Sequence, residues 1–344
     1  MDNNRFTALL NRFSTTKIAV LGDFFLDNYI QLDRSLSEFS IETHKEAFQA
    51  VGLRAQPGSA GVVTNNLRSL EVKTAAIGYT GDDGNGYALR QALKSGQINT
   101  EHMITTPDRF TPTYTKPVMK EISGENIELN RIDIINRSPN STELNEALAE
   151  QLVIAASIYD GVLVVEQVQN DGFGTMSPLL REKLGELSQN YPQKPFIVDS
   201  RHFAGHYDHV SLKMNYQEAA AVLGINNNLD EGQPASETAR LLWEKQQKPT
   251  FVTLGAQGIC GYDNGEYFHI PGFPISGPID IVGAGDSVLA GIGISLCAGA
   301  TAIEAAYIGN LVGSITVQQI GTTGIATKED IIKRHQEYQI IYKS

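Results

Sequence analysis

Residues 280–291 read Asp-Ile-Val-Gly-Ala-Gly-Asp-Ser-Val-Leu-Ala-Gly, and this stretch is the most informative in the chain. Gly283 and Gly285 allow a tight turn and the close approach of a ligand, because glycine has no Cβ. The small and apolar residues that follow predict a buried helix. The amide N–H groups of residues 283–286 would lie at its N-terminus, where they lack partners and favour an anion. The stretch predicts an anion site, with Asp286 as an ordinary acidic N-cap as the alternative.

The rest of the chain alternates short apolar runs with amphipathic stretches. Strands are predicted at 17–22, 74–81, 161–166, 196–199 and 251–255, and helices at 64–70, 85–95, 179–189 and 236–246. Continuous Val, Ile and Leu runs separated by helices indicate a mainly parallel sheet that is covered on both faces. The sequence therefore predicts an α/β fold with a central, mainly parallel sheet flanked by helices.

Two regions interrupt this alternation. Residues 29–56 and 111–135 alternate in polarity without a helical period, and a β-hairpin is predicted around 123–126. A small sheet built from both insertions is the simplest interpretation. At the carboxyl edge of a parallel sheet it would close over a ligand. We therefore expect a single domain over residues 1–344 with a small β-sheet lid.

Composition excludes several classes of function. The 344 residues include 27 Lys and Arg against 39 Asp and Glu, a net charge of −12 that repels nucleic acid and anionic membranes. The two cysteines, Cys260 and Cys297, lie in apolar runs and predict buried side chains rather than a disulfide framework. The N-terminus lacks a basic and then apolar leader, so we expect a cytoplasmic protein that acts on a small molecule.

The segment around Asp286 resembles the signature of the PfkB/ribokinase family of carbohydrate kinases, approximately Asp-[Ser/Thr]-x-Gly-Ala-Gly-Asp. The resemblance implies a ribokinase-like fold, with Asp286 as the base that takes a proton from a sugar hydroxyl. It also implies that the amides of Gly283, Ala284 and Gly285 bind the transferred phosphoryl group. ATP and Mg²⁺ are the implied nucleotide and metal. Ile281 departs from the motif, since the family has Ser or Thr there.

The resemblance to this family extends from about residue 17 to residue 327, and it includes a second motif. Residues 213–218 contain the pattern Asn-x-x-Glu. In the family, the residues that match Asn215 and Glu218 hold magnesium-bound water near the nucleotide phosphates. The alternative from the sequence alone is a helix capping box, in which Asn215 begins a helix and Glu218 reaches back to it.

Other matches concern the nucleotide. Residues 253–258 are similar to the family's Thr-x-Gly-x-x-Gly turn, which implies phosphate contacts at Thr253, Gly255 and Gly258. Glycine turns after strands are also common for purely structural reasons. Asn310 corresponds to the region that flanks adenine.

The opening residues 22–29 are similar to the Gly-Asp-x-x-Leu-Asp-x-Tyr pattern of the heptose-phosphate kinase branch. This resemblance implies that Asp27 contacts a sugar hydroxyl. The alternative is that Asp23 or Asp27 caps a local turn.

The next segment departs from the family. Residues 57–64 stand in place of Pro-Gly-Gly-Ala-x-Asn-x-Ala, with Gly58 retained as a substrate-binding candidate. Ser59 replaces the second glycine, and Val62 replaces the asparagine that holds sugar hydroxyls. A buried hydroxyl without its partner costs roughly 1–3 kcal/mol. The acceptor therefore has different hydroxyl geometry, or sugar binding has been lost.

The predicted lid keeps cations that resemble the same branch. Lys116 and Arg131 are candidates for binding a substrate phosphate, and a solvated hairpin face is the alternative. Residues 166–170 lack the lysine that the branch carries there, so heptose phosphate is not assigned as the acceptor.

The leading hypothesis is ATP-dependent phosphorylation of a hydroxyl group on a sugar or sugar phosphate. The alternatives are a catalytically weak relative that binds nucleotide or sugar as a regulator, and a nucleoside kinase. By resemblance, a requirement for K⁺ and a homodimer through the lid stay open. No nucleotidyltransferase-like segment is expected after residue 327, which disfavours bifunctionality.

Overall fold

The computed structural model describes residues 1–225 and 234–343. The helices of this part of the chain are α1 Asn3–Phe13, α2 Ala60–Ser69, α3 Gly84–Ser95, α4 Thr142–Ile158, α5 Pro178–Asn190, α6 Tyr216–Leu223, α7 Ala235–Gln246, α8 Ala284–Cys297, α9 Ala302–Thr316 and α10 Lys328–Lys343. Its strands are β1 Lys17–Gly22, β2 Phe24–Phe39, β3 Glu46–Ser59, β4 Lys73–Gly81, β5 Asn99–Thr106, β6 Thr113–Lys120, β7 Asn126–Glu128, β8 Ile132–Ile134, β9 Gly161–Glu166, β10 Phe196–Ser200, β11 Ser211–Asn215, β12 Thr250–Thr253, β13 Ile259–Asp263 and β14 Glu266–Ile270.

The main sheet has nine strands in the order β14-β13-β12-β11-β10-β9-β1-β4-β5. The strands from β5 to β12 are parallel, whereas β13 and β14 form an antiparallel edge. The parallel strands end on one edge of the sheet, where ligands bind in open α/β folds. The predicted α/β architecture is confirmed.

Alternate side chains of the central strands enter two separate apolar layers. In β1, Ile18 and Val20 pack with α1, α2, α3, α8, α9 and α10 on one face of the sheet. Ala19 and Leu21 pack with α4, α5, α6 and α7 on the other face. Because successive side chains of a strand point to opposite faces, a continuous apolar run fills both layers.

The two insertions form a second sheet, as predicted. Its order is β3-β2-β6-β7, with β8 also paired to β6. The return arm of the hairpin differs from the single strand that the sequence predicts, because β7 and β8 are separated by residues 129–131. Val118 pairs with Glu128, and Thr115 pairs with Ile132. Between these two pairs β6 has residues 116–117, whereas the opposite arm has residues 129–131. Pro117 lies in this gap and lacks an N–H, so the ladder is interrupted there.

The prediction that both cysteines are buried is confirmed for one of them. Cys260 and Cys297 are both unpaired, but only Cys260 is buried, while Cys297 is half-buried in the last turn of α8. In the described residues, no helix combines the length and the apolar character that spanning a membrane requires.

Candidate active site

The N-terminus of α8 lies beside the carboxyl ends of the parallel strands, and it carries the motif of residues 280–286. Gly283 is the N-cap with φ 76°, a left-handed conformation that favours glycine. In the described part of the chain, the amides of Gly283, Gly285 and Asp286 have no hydrogen-bond partner. The Ala284 amide differs from the prediction, because it donates to the Ile281 carbonyl at 3.1 Å. The turn that begins the helix therefore uses the Ala284 amide, which leaves the other three of the four amides that were expected to bind an anion.

Asp280 holds this turn in place. Its Oδ1 accepts from the Val282 amide at 3.0 Å, and its Oδ2 accepts from the Gly321 amide at 2.9 Å. These backbone hydrogen bonds lower the pKa of the Asp280 carboxyl. The carboxylate therefore joins the glycine turn to the loop that follows α9.

Asp286 lies in the first turn of α8 and is half-buried. Desolvation raises the pKa of its carboxyl to about 7, and the charge of Asp199 adds to this effect. Lys213 and Arg201 act in the opposite direction. A carboxyl group with a pKa near neutrality is well suited to accept a proton during catalysis.

The charged side chains around Asp286 come from residues that the sequence analysis did not select. Lys213 at the end of β11 is buried, and its Nζ lies 2.5 Å from Oδ2 of Asp199 at the end of β10. A Cβ on Gly285 would lie 2.9 Å from the same Nζ, so a larger residue would push against the ammonium group. The sequence does carry a signal for Lys213. This lysine stands between Leu212 and Met214 in a buried strand, where an unpaired charge is costly, so a partner for it could have been expected.

Asn215 and Glu218 form the capping box at the start of α6. Asn215 Oδ1 accepts from the Glu218 amide at 2.8 Å, and Glu218 Oε2 accepts from the Asn215 amide at 2.9 Å. Desolvation raises the pKa of the Glu218 carboxyl, with a further contribution from Asp199. The structural alternative is therefore correct, and both residues still line the cavity beside Asp286.

A cavity of about 930 Å³ brings the predicted nucleotide-side residues together. This volume is within the usual range for small-molecule sites. Its lining includes every candidate on that side: Asn215, Glu218, Thr253, Gly255, Gly258, Gly283, Ala284, Gly285, Asp286 and Asn310. Asn310 also donates from Nδ2 to the Pro271 carbonyl at 2.9 Å, which fixes its amide.

Three of the acceptor-side candidates meet in the lid, outside that lining. Lys116 Nζ lies 3.0 Å from Asp27 Oδ1 and 3.3 Å from the Tyr29 hydroxyl. Burial alone would lower the pKa of Lys116, but the Asp27 carboxylate outweighs it and the pKa is raised. A Cβ on Gly58 would lie 2.7 Å from Asp27 Oδ2, so glycine leaves room for this carboxylate.

Arg131 lies apart from this group. Its guanidinium pairs with Asp133 at 2.6 Å and stacks over the Tyr114 ring, 4.2 Å from the centroid. The side chain is exposed, as expected for a hairpin face. In the structure, both lid cations are therefore paired with lid carboxylates.

The starts of α2 and α8 meet where the sequence departs from the family pattern. Val62 is buried, and its Cγ1 would lie 3.4 Å from a Cβ on Gly283. Ser59 adopts φ 54°, which is strained for a residue with a side chain, and its buried Oγ has no hydrogen-bond partner among residues 1–225 and 234–343. The two substitutions thus lie between the lid and the glycine turn.

Asp23 has a structural role that Asp27 does not share. Its buried carboxylate accepts from the amides of Gln167, Val168 and Thr175 at 2.7–3.1 Å. The alternative that the sequence left open, a cap of a local turn, is therefore wrong for Asp23, because its carboxylate holds a segment that is distant in the sequence. Asp27 instead forms the ion pair with Lys116.

The comparisons with known proteins agree with this geometry. A family model described as "pfkB family carbohydrate kinase" matches residues 16–329. Among curated proteins, the bifunctional protein HldE of Trichlorobacter lovleyi is 27% identical over 341 residues, which cover 96% of this chain and 65% of that protein. HldE of Caulobacter vibrioides is 28% identical over 320 residues, which cover 92% and 63%. The chain thus spans less than two thirds of the length of these relatives.

Solved structures share the fold. Arabidopsis thaliana ribokinase complexed with ribose and ATP superposes with a TM-score of 0.66 at 17% identity, covering 93% of this chain and 98% of that one. Escherichia coli phosphofructokinase-2 in complex with fructose-6-phosphate gives a TM-score of 0.68 at 19% identity, covering 94% and 99%. These neighbours confirm the predicted ribokinase-like fold.

Proposed function

Since the chain belongs to the pfkB family of carbohydrate kinases, we propose that it transfers the terminal phosphoryl group of ATP to a hydroxyl group of a sugar or sugar phosphate. The observation that carries this proposal is the position of Asp286. Its carboxyl group, with a pKa of about 7, lies beside the free amides of Gly283 and Gly285 in the 930 Å³ cavity. A base and an anion site are thus next to each other.

In the proposed reaction, Asp286 accepts the proton of the acceptor hydroxyl. The hydroxyl oxygen then forms a bond to the terminal phosphorus, and the bond from that phosphorus to the bridging oxygen breaks to release ADP. The amides of Gly283, Gly285 and Asp286 donate to the oxygens of the phosphoryl group in transfer. Positioning and charge stabilisation supply most of the rate in such reactions.

The residues at the start of α6 fit a magnesium ion that accompanies the nucleotide. The capping box uses Oε2 of Glu218, which leaves the second carboxylate oxygen for a metal-bound water. Within residues 1–225 and 234–343, no cluster of three His, Cys, Asp or Glu side chains is arranged to hold a metal by itself. This suits Mg²⁺, which keeps several waters and is bound partly by substrate phosphates. Asn215 and Glu218 would hold its waters, and the ion would neutralise phosphate charge.

On the acceptor side, we assign Asp27, Gly58 and Lys116 to substrate binding, with Arg131 as a second phosphate contact. The Asp27–Lys116 pair offers both an acceptor for sugar hydroxyls and a cation. Because Val62 offers no hydrogen bond, the acceptor differs in hydroxyl geometry from that of relatives that carry asparagine.

A second candidate is a catalytically weak relative that binds nucleotide or sugar as a regulator. Val62 and Ser59 favour it, because both substitutions lie between the lid and the glycine turn. The retained Asp286 argues against it, since a protein that only binds has no need for a base there.

A screen for ADP release would decide between these functions. The panel includes sugars, sugar phosphates, adenosine and inosine, each with MgATP and with or without potassium. A structural neighbour, phosphofructokinase-2 of E. coli, was solved in complex with potassium, which motivates that arm. Turnover of a sugar or sugar phosphate supports the kinase, and turnover of nucleosides alone would contradict it. Calorimetric binding of ATP without turnover of any acceptor would favour the regulator.

We also propose that the lid mediates a homodimer. The lid carries several exposed large apolar side chains, and such side chains mark interaction surfaces where they gather into one patch: Phe39, Ile41, Val51, Leu53 and Ile132. Sedimentation of the wild type and of the Leu53→Glu variant would test this, since a dimer should dissociate on introduction of the charge. A wild type that sediments as a monomer at all concentrations would exclude it.

A further inference from the structure

The cavity beside Asp286 has too little positive charge for its proposed substrate. Its charged lining consists of two cations and three carboxylates: Asp199, Arg201, Lys213, Glu218 and Asp286. A nucleoside triphosphate brings about four negative charges, and one Mg²⁺ ion neutralises only part of them. Any cation that is free to reach the phosphates therefore matters for phosphoryl transfer.

The two cations differ in how they are held. Lys213 is buried and lies 2.5 Å from Asp199, so its charge is already balanced by the protein. The Arg201 guanidinium is exposed and has no hydrogen bond or ion pair within the two described ranges. Arg201 is thus the lining cation that can pair with a ligand without first breaking an internal ion pair.

The backbone of Arg201 is fixed although its side chain is free. The Arg201 amide donates to the Glu166 carbonyl at 3.1 Å. The preceding Ser200 donates from Oγ to Glu166 Oε2 at 2.6 Å, and buried Arg181 pairs with Glu166 Oε1 at 2.6 Å. This buried network holds the end of β10 rigidly, so the guanidinium is presented from a defined point.

Arg201 also lies between the nucleotide side and the lid. Desolvation raises the pKa of Asp286 and Glu218 in the cavity and of Tyr114 in β6 of the lid, and the charge of Arg201 opposes part of this rise at all three groups.

We propose that Arg201 is a catalytic residue whose guanidinium binds the phosphoryl group during transfer. This inference rests on the proposed kinase function. Arg201 forms and breaks only hydrogen bonds in the step, while the proton goes to Asp286 and ADP leaves. The planar guanidinium offers several N–H donors that match the oxygens of a phosphoryl group. Arginine in this role contributes about 10³–10⁵ to the rate in other phosphoryl-transfer enzymes.

The test uses binding of ADP and of ADP with aluminium fluoride, which mimics the phosphoryl group in transfer and requires no known acceptor. Calorimetry with Mg²⁺ compares the wild type with Arg201→Gln, Arg201→Lys and the matched control Arg137→Gln. Arg137 is also exposed and unpaired in the described chain, and it is not part of the cavity lining. We expect Arg201→Gln to lose at least tenfold in affinity for the analogue, with a change below twofold for ADP. Arg201→Lys should recover part of the loss, and Arg137→Gln should match the wild type.

Each other outcome has a definite meaning. Equal affinity of Arg201→Gln and wild type for the analogue would overturn the inference. An equal loss for ADP and for the analogue would place Arg201 on the diphosphate, which also overturns it. A wild type that prefers the analogue no more than ADP would contradict the proposed function itself, and the inference would fall with it. Thermal unfolding should be unchanged in all three variants, because neither arginine has a side-chain partner to lose.

Discussion

The proposed site has a nucleotide half around α8 and a lid half, and the two differ in the groups that would recognise a ligand. Around α8, the expected contacts are backbone amides and glycines, namely Gly283, Gly285 and the turn at 253–258. In the lid they are side chains, with Asp27 paired to Lys116. The motif is retained in the first half except at Ile281, whereas Ser59 and Val62 depart from the family at the start of the second. Recognition by backbone groups would be preserved with the fold, whereas recognition by side chains would change with single substitutions.

The largest expected effect concerns the base of the nucleotide half. Asp286→Asn should lower phosphoryl transfer by about 10²–10⁴-fold, because the amide cannot accept the hydroxyl proton. ATP affinity measured by calorimetry should stay within a few-fold of the wild type. Asp263→Asn, in the β13–β14 hairpin away from the cavity lining, is the control and should keep full activity. Retained turnover in Asp286→Asn would remove Asp286 from the mechanism.

Gly285→Ala tests the backbone contact next to the base. The new Cβ would lie 2.9 Å from Lys213 Nζ, so the ammonium or the helix start must shift. A misplacement of about 1 Å can cost roughly 10²-fold in rate, and we expect a loss of about that size in kcat. Gly84→Ala is the matched control, since it also lies at a helix start but a Cβ there meets no atom within 4 Å. Equal activity of both variants would contradict the anion site.

The sequence predicted the nucleotide half well because its signals are local. Glycine spacing and the helix start are both contained in residues 280–291, and the structure places Gly283 at the N-cap with a positive φ. The capping box of Asn215 and Glu218 is likewise a four-residue pattern. What stayed hidden is non-local, since Lys213 and Asp199 meet only because β10 and β11 are adjacent.

Helix α2 and the lid show what local sequence patterns do not predict. The helix predicted at 64–70 begins at Ala60 instead, because Gly61 and two β-branched valines lower the helical signal that packing against α8 overrides. The pairing of Asp27 with Lys116 depends on the parallel register of β2 and β6. No spacing rule gives a register between strands more than 80 residues apart, so Lys116 could be selected only as a cation and not as a partner of Asp27.

Asp27→Asn tests the side-chain half. We expect the acceptor KM to rise by about tenfold, because the amide binds a sugar hydroxyl less well than a carboxylate and releases Lys116 from its pair. Nucleotide affinity should be unchanged, since neither residue lines the cavity. Lys120→Gln is the control, since Lys120 lies in β6 with Lys116 and has an exposed side chain. A change in nucleotide affinity in Asp27→Asn would show that the two halves are not separate.

The pKa of Asp286 also predicts how stability depends on pH. In the folded protein the pKa of this carboxyl is about 7, above the 3.8 of an aspartate in an unfolded chain, so the native state binds the proton more tightly than the unfolded chain. Between about pH 4 and 7, unfolding releases this proton, and stability therefore falls as the pH rises. Asp286→Asn removes this dependence. The full difference corresponds to roughly 4 kcal/mol, and solvent screening at the half-buried carboxyl reduces it, so we expect the variant to be more stable than the wild type by about 1–2 kcal/mol at pH 8, with no such gain at pH 4. Denaturant unfolding at the two pH values measures it, and a gain that is equal at both would contradict the raised pKa.

Ser59→Gly gives the smallest expected effect and tests the boundary between the two halves. Ser59 holds a positive φ of 54°, and its buried Oγ has no hydrogen-bond partner in the part of the chain that the structure describes, so glycine relieves both costs. The greater freedom of glycine in the unfolded chain offsets part of the gain. We therefore expect stabilisation by about 1 kcal/mol, measured by denaturant unfolding.

Ser69→Gly, in the last turn of α2, should change stability in the opposite direction and destabilise the protein. Its serine donates to the carbonyls of Asn66 and Ala326, and glycine weakens a helix by about 1 kcal/mol. If Ser59→Gly also destabilises, the serine hydroxyl has a role that offsets the backbone strain, and the departure at this position belongs to acceptor recognition. If Ser59→Gly stabilises the protein while the acceptor KM is unchanged, the backbone at residue 59 still has the conformation that glycine favours, and only the side chain differs from the family pattern. The difference between the two halves then reduces to Val62, the one remaining substitution at the start of α2 that removes a hydrogen-bonding group.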